Sequence, residues 1–497
     1  MAETLQQPIQ CIQFVKTKNS SSRNVLVASS GPKLFSYAAV SGQCLSVWPQ
    51  DGADIPAAND AGSNQESEGP PEKKRKVDPS SEQKPSAPAA QKAVAWTNIP
   101  ILTSTRDGEY LVALTGEDKS IRVFQIEENG SFTELSARPM PKRPCAITFT
   151  DKNDILLGDK FGDVYSMPLI PSAEPRTAKA QREQRAKIIA ATNLTVHTQR
   201  NLKSLQMQQE QLANRAKKAN EKEADAEAPI FDHDLLLGHV SLLTDVAFAT
   251  LPSPDPSSSR QRTYILTGDR DEHIRVSRGP PQSHVTENYC FGHTAFISKL
   301  FIPEWAPEIL ISGGGDPYLL VWNWTSGQIL QKIPLEDYRS PETKEVAVRG
   351  IWAPSFDSSS SSQRLVFVAL DGNPTLLTYT LSPTGTLTPF APIKTTGNIL
   401  DIQTVPESQT ILISVDTVRA PGSTQEWRST PTKIFLEAFR LTAEGEWESA
   451  ADEVVNSINS AGTVPVSVAA EKERKAANSS VYGLENLRKK LFGDEDE

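Results

Sequence analysis

The feature that most constrains this chain is a short phrase that recurs: a small hydroxyl residue with glycine, an aspartate, and a valine five positions after the aspartate. TGEDKSIRVF carries Asp118 and Val123, TGDRDEHIRVS carries Asp271 and Val276, and SGGGDPYLLVW carries Asp316 and Val321. Alternating apolar residues flank each copy, so each predicts a tight turn between two strands. Constant spacing at constant chemistry means repeated units, and short-strand units recurring about every 40 to 50 residues are the pattern of a β-propeller.

Seven segments read as blades: Ile9 to Trp48, Val94 to Ile126, Cys145 to Met167, Gly238 to Ser277, Gly292 to Trp324, Val348 to Leu381, and Ile399 to Leu441. The expectation is therefore an all-β, seven-bladed WD40 propeller, with six or eight blades still open. Blade 1 falls in 1–50, blades 2 and 3 in 92–170, and blades 4 to 7 in 231–442.

Three stretches break the pattern. Residues 51–91 are rich in Pro, Ser, Ala, Gly and charge, which predicts disorder. Residues 171–230 switch to Ala, Gln, Lys, Arg and Glu and predict a basic helical or disordered insert. From Arg176 to Lys222 this insert holds eleven Lys or Arg against three Glu, a net +8. The polar, acidic tail, 443–497, is expected to be flexible, with one short amphipathic helix at Val481 to Phe492 whose Leu484, Leu487 and Leu491 share a face.

Composition narrows the function classes. With 36 prolines and 38% hydrophobic residues, part of the 497-residue chain buries little. Cys11, Cys44, Cys145 and Cys290 lie far apart without a CxxC pair, which argues against structural zinc and a disulfide framework. A polar start and the lack of a long apolar run predict a soluble, intracellular protein. A net charge of -10 argues against a wholly basic nucleic-acid binder.

His293, Ser312 and Asp316 have the residue types of a hydrolase triad, but no GxSxG elbow accompanies the serine. A Gly-His pair, a serine four residues before a turn aspartate and Trp322 six residues after it match instead the hydrogen-bonded structural tetrad of WD repeats. His239, Thr267 and Asp271 repeat the set with Ser277 in the tryptophan position, so the fourth tetrad is incomplete. SGGGD lacks the Lys-Ser/Thr of a phosphate-binding loop, and no GxGxxG opens a helix. No cofactor site is expected on this chain, and a binding role follows.

Lys73, Lys74, Arg75 and Lys76, after Pro70-Pro71, have the form of a nuclear import signal, and a solvated charge cluster is the bland reading. The basic insert, with Arg182, Arg185 and Lys187 as candidate RNA contacts, either only solubilises or binds phosphates through counterion release. It has no aromatic residue between Arg176 and Lys222, so such binding would be blind to base sequence. In Arg270-Asp271-Glu272-His273-Ile274-Arg275, Ile274 should point inward while the charged residues crowd the turn. That suits a rim that holds a partner by charge-paired hydrogen bonds.

Together ILTGDRDEHIRVS, FGHTAFISKLFIP, ILISGGGDPYLLVWNW and LLGDKFGDVYSM resemble the non-catalytic WD-repeat subunit of tRNA (guanine-N7)-methyltransferases, in a fungal form. The likeness covers Cys145 to Met167 and Leu236 to Leu335; the inserts and tail match nothing specific in it. The resemblance implies a stabilising, activating subunit that forms a heterodimer with a separate catalytic subunit. That partner would hold S-adenosylmethionine and make N7-methylguanine in the tRNA variable loop, at position 46. It also implies a partner-binding surface at Arg270, Asp271, Glu272, His273 and Arg275, with Lys160 and Asp163 on the neighbouring blade. With the import signal, a nuclear protein is expected. A general WD-repeat scaffold, as in ribosome assembly or a ubiquitin ligase, would share the blades and has no need of the RDEHIR turn.

Overall fold

The computed structural model describes residues 3–18, 23–50, 96–172, 231–252, 261–338, 345–353, 364–406, 408–430, 432–442, 444–450, 452–468 and 471–489. The import motif at Lys73 to Lys76 and the candidate RNA contacts Arg182, Arg185 and Lys187 lie outside them.

Alternating burial drives the architecture. Strands such as Asn24–Ser30, Leu365–Leu370 and Thr410–Asp416 are buried on both faces, because each packs between two neighbouring blades. Seven sheets result, each running inward to outward in chain order as antiparallel neighbours. Blade 1 is Cys11–Lys16, Asn24–Ser30, Lys33–Ala38 and Cys44–Trp48. Blade 3 is Pro144–Phe149, Ile155–Asp159, Asp163–Met167 and Asp234–Gly238, so its outer strand follows the basic insert. The boundary expected at 231 is thereby corrected: Asp234–Gly238 completes blade 3, and blade 4 begins at Leu243–Pro252. Its remaining strands are Gln261–Asp269, Ile274–Arg278 and Thr286–Cys290. Blade 5 runs from Ile297–Phe301 to Gln328–Pro334, and blade 7 from Asn398–Thr404 to Trp447–Ser449.

Apolar clusters fill the wedges between blades; Trp322 and Trp324 are wholly buried between blades 4 and 5. Each fully buried Leu or Ile contributes about 1.5–3 kcal/mol relative to exposure, so the wedges dominate cohesion. Polar staples set the blades' angular positions. Asp245 of blade 4 accepts from the Leu300 amide of blade 5 at 2.8 Å. Asp401 of blade 7 accepts from the Ile12 amide of blade 1 at 2.9 Å. The thiols of Cys11 and Cys145 donate to Pro100 O and Leu243 O of their next blades, at 3.4 and 3.1 Å. Burial pushes both thiols up to about 12, so they serve as small hydrogen-bonding wedge residues, not nucleophiles.

The ring closes without borrowing a strand, since blades 1 and 7 are each built from consecutive segments. A second closure lies outside the sheets. Helix α1, Glu453–Ala461, is capped by Asp452 and lays Val454, Val455 and Ile458 on the wedge between blades 7 and 1. Pro465–Val468 then pairs antiparallel with Glu3–Gln6, joining the segment after α1 to the strand that precedes blade 1.

The tail departs from its expected flexibility. Helix α2, Glu471–Val481, is followed by a single 3-10 turn at Leu484–Leu487. Among the described residues no single helix runs on from Val481, and ring arginines hold backbone carbonyls there. Arg349 donates to Val481 O at 3.2 Å, and Arg270 to Leu487 O at 2.7 Å. Leu491 lies outside the described residues. From blade 7 the tail crosses to blade 4 as a strap. Ser480 O receives Gln10 and Asn98 at 3.0 and 3.1 Å, and Arg488 donates to Gly315 O and Val346 O, both at 3.1 Å.

Candidate docking rim

The rim is built from the turns joining the second and third strands of the blades. In blade 5 the turn is a closed network. His293 Nδ1 lies 2.7 Å from Asp316 Oδ2 and its Nε2 2.7 Å from Ser312 Oγ, which also receives Trp322 Nε1 at 2.8 Å. Thr294 adds its hydroxyl and amide to Asp316 at 2.6 and 3.1 Å. Burial would raise the Asp316 carboxyl, but His293 and Thr294 hold it below the usual range. Ser312 is wholly buried and its Oγ is held between His293 and Trp322, so the network fastens the turn to the framework.

Blade 4 departs from it. His239 Nε2 meets Thr267 Oγ1 at 2.7 Å, but the carboxylate facing His239 Nδ1 is Asp269, at 3.7 Å, and not the expected Asp271. Two sequence differences account for this. Val240 stands where blade 5 has Thr294 and has no hydroxyl to hold an aspartate. Asp269 stands where blade 5 has Gly314, and its Oδ1 accepts from the His273 amide at 3.0 Å, capping the turn. Blade 3 folds the same way: Asp159 Oδ1 accepts from the Asp163 amide at 3.1 Å, and Phe161 takes the outward place of Asp271. Ser277, in the tryptophan position, is buried with no partner for its hydroxyl among the described residues.

The freed groups meet the C-terminal strap. Lys489 Nζ lies 3.2 Å from both Asp271 Oδ1 and Glu272 Oε1. Partial burial opposes ionisation of Asp271, yet hydrogen bonds from Lys489 and Ser241 bring its carboxyl below the ordinary range. Asp271 and then Glu272 raise Lys489 in turn. Glu272 sits at φ 76°, where blade 3 has Gly162 at φ 98°. A non-glycine residue in the left-handed region costs about 1–2 kcal/mol, so this glutamate is kept against a backbone penalty. Arg270 is turned from solvent to the strap, holding Leu487 O and Arg488 O at 2.7 and 3.4 Å.

The remaining predicted residues line the adjoining surface. Ile274 and Val276 point inward as expected. Arg275 donates from Nη1 to Gly238 O at 3.2 Å, and among the described residues no carboxylate neutralises it. His273 is exposed and packs edge-on against Phe291, with ring centroids 5.6 Å apart; Tyr289 stacks on Phe291 at 5.5 Å. On blade 3, Lys160 is exposed, and Asp163 is already engaged by Lys142 Nζ at 3.0 Å and by the Tyr165 hydroxyl at 3.2 Å. Lys142 also lies over the exposed ring of Phe161, 4.9 Å from its centroid. The blade 3 turn abuts this region directly, since the His239 amide donates to Gly162 O at 2.8 Å.

Sequence reasoning missed Phe161, Val240, Phe291 and Lys489. Phe161 and Phe291 are 64% and 62% exposed, large values for phenylalanine. An aromatic in a turn aspartate's place and another just before a Gly-His pair were the available signals. Each exposed ring sits beside charged or ionisable groups, Phe161 under Lys142 and Phe291 against His273, the mixture of apolar and charged groups that a protein-binding surface uses.

Residues 26–439 match the family described as tRNA methyltransferase TRM82 WD40 domain. A relative from Aspergillus oryzae, a tRNA (guanine-N(7)-)-methyltransferase non-catalytic subunit, is 48% identical over the full length of both chains. One of the same name from Coccidioides immitis is 40% identical, covering 95% of this chain and 96% of its own. The solved RRP9 WD40 repeats overlay loosely, with TM-score 0.48 at 13% identity, over 86% of this chain and 93% of theirs. Repeat spacing, the seven blades and these full-length likenesses converge: the chain belongs to the TRM82 family of WD40 proteins, whose matching fungal members are named non-catalytic subunits of tRNA (guanine-N7)-methyltransferase.

Proposed function

We propose that this chain is the non-catalytic, stabilising and activating subunit of a heterodimeric tRNA methyltransferase that forms N7-methylguanine at position 46 of the variable loop. The observation that carries the reading is the blade 4 turn. In a family whose members are named subunits of this enzyme, it gives up the structural tetrad and presents Asp271, Glu272, His273 and Arg275 beside exposed aromatics. S-adenosylmethionine belongs to the catalytic partner. Arg275, without a carboxylate among the described residues, calls for an acidic residue on that partner.

The ring is a rigid body of interlocked wedges, and a rigid surface that binds one conformation of an enzyme more tightly raises its population. A coupling of a few kcal/mol suffices for a large gain in activity. Lys160, exposed on the neighbouring blade 3, supports the reading as a second cationic contact. Lys73, Lys74, Arg75 and Lys76 support a nuclear pool through import, and Arg182, Arg185 and Lys187 of the basic insert support sequence-blind contact with the tRNA backbone.

Co-expression of both subunits followed by a tRNA methylation assay tests the reading. Arg275→Glu is expected to abolish co-purification and lower methylation by at least about tenfold while the melting temperature of the propeller is unchanged, a loss typical of reversing a central interface charge. Methylation by this chain alone, or intact pairing of the variant, rejects it.

A further inference from the structure

The strap ends on the same carboxylates that the docking reading assigns to a partner. Asp271 and Glu272 come from one turn, and Lys489 bridges both at 3.2 Å. The bridge is half-exposed at each end, with 51% of the Lys489 side chain and 47% of that of Asp271 open to solvent, so solvent screens it and it can open. What positions it is firmer. The Arg270 and Arg488 guanidinium groups fix the strap's backbone on blades 4, 5 and 6 through four carbonyls, those of Leu487, Arg488, Gly315 and Val346. The lysine is thus delivered to the acid pair by an anchored tether and not by chance rotation.

We infer that Lys489 is an intramolecular stand-in for a cationic residue of the docking partner. The acid pair of blade 4 is a cation site that the free subunit fills from its own tail and that the partner takes over with a lysine or arginine of its own. The inference rests on the docking reading above. Two carboxylates on a turn held at positive φ repel each other and strain the backbone, and a cation offsets the repulsion whichever chain supplies it. A tethered lysine has a high local concentration, so it shields the acid pair from unrelated cations yet yields to a partner that also satisfies Arg275 and covers Phe161 and Phe291.

The test measures the affinity of the separately purified catalytic subunit for the full-length chain and its Lys489→Ala variant by biolayer interferometry at low salt. Removing a half-exposed competitor is expected to tighten binding about two- to fivefold. In the Asp271→Ala/Glu272→Ala background, Lys489→Ala should add nothing. An affinity that is unchanged or weaker in the single variant overturns the inference, the weaker case meaning that Lys489 itself contacts the partner. Arg275→Glu, measured alongside, separates the two ideas: binding that survives it removes the docking reading whatever Lys489 does.

Discussion

The Tyr482 hydroxyl donates to Asp416 Oδ2 at 2.8 Å, and the same oxygen receives Arg419 Nη1 at 3.0 Å. Tyr482 belongs to the strap and Asp416 to the second strand of blade 7, so one buried carboxylate ties the tail to the ring. Arg419 strengthens the tie by donating to Asn478 Oδ1 and Ala477 O, both at 2.9 Å. Tyr482→Phe removes one hydrogen bond to a charged acceptor that keeps its arginine. Unfolding free energy should fall by about 1–3 kcal/mol. Calorimetry checks this, and hydrogen exchange should show α2 losing protection before the blades do.

Asp401 makes stability depend on pH. Burial pushes its carboxyl up to about 6, against the lowering by the Ile12 and Ile402 amides. A raised carboxyl binds its proton more tightly when folded. Its contribution is therefore full below the unfolded value of about 4 and is lost as pH rises through about 6. Urea titrations of the wild type should show this group's stabilisation declining across that window by on the order of 2 kcal/mol. Asp401→Asn cannot titrate and should lack the slope.

The two turn aspartates should respond oppositely to truncation. Asp316→Ala strands the buried His293 and the Thr294 amide and should cost about 2–4 kcal/mol in chemical denaturation. Asp271→Ala removes a half-exposed ion pair and the Ser241 hydrogen bond at the surface and should stay within about 0.5–1 kcal/mol. A large loss from the second would place Asp271 in the framework after all.

Glu272→Gly should relieve the left-handed backbone. Stability is expected to hold or rise by up to about 1 kcal/mol, since the lost ion pair with Lys489 is partly exposed. The same variant should weaken co-purification with the catalytic subunit. A residue that lowers stability in its native form and raises binding is one retained for its side chain.

The repeated blades and the blade 5 network were legible because they are local. A strand, a turn and the next strand span about a dozen residues, so Ser312, Asp316 and Trp322 carry their arrangement in their spacing. The basis of blade 4's irregularity was legible only in part. Thr267 and Asp271 keep the spacing of Ser312 and Asp316, and nothing in that spacing says that Asp269 caps the turn or that Val240 leaves Asp271 outside the His239 network. That outcome depends on which hydroxyl and amide groups reach the turn from the preceding loop.

By itself the sequence determined the repeat, the propeller, the family and the charged turn of blade 4, since each is written in neighbouring residues or in likeness to relatives, and the seven-sheet count is the structure's. The tertiary structure alone decided that the tail is a strap, that Arg270 anchors it, and that Lys489 covers Asp271 and Glu272. Lys489 and Glu272 are 217 positions apart. A polar, charged segment carries no local hydrophobic period that announces where it will dock. Its place is set by carbonyls and carboxylates that converge only after the ring has closed, and such convergence has no signature in spacing along the chain.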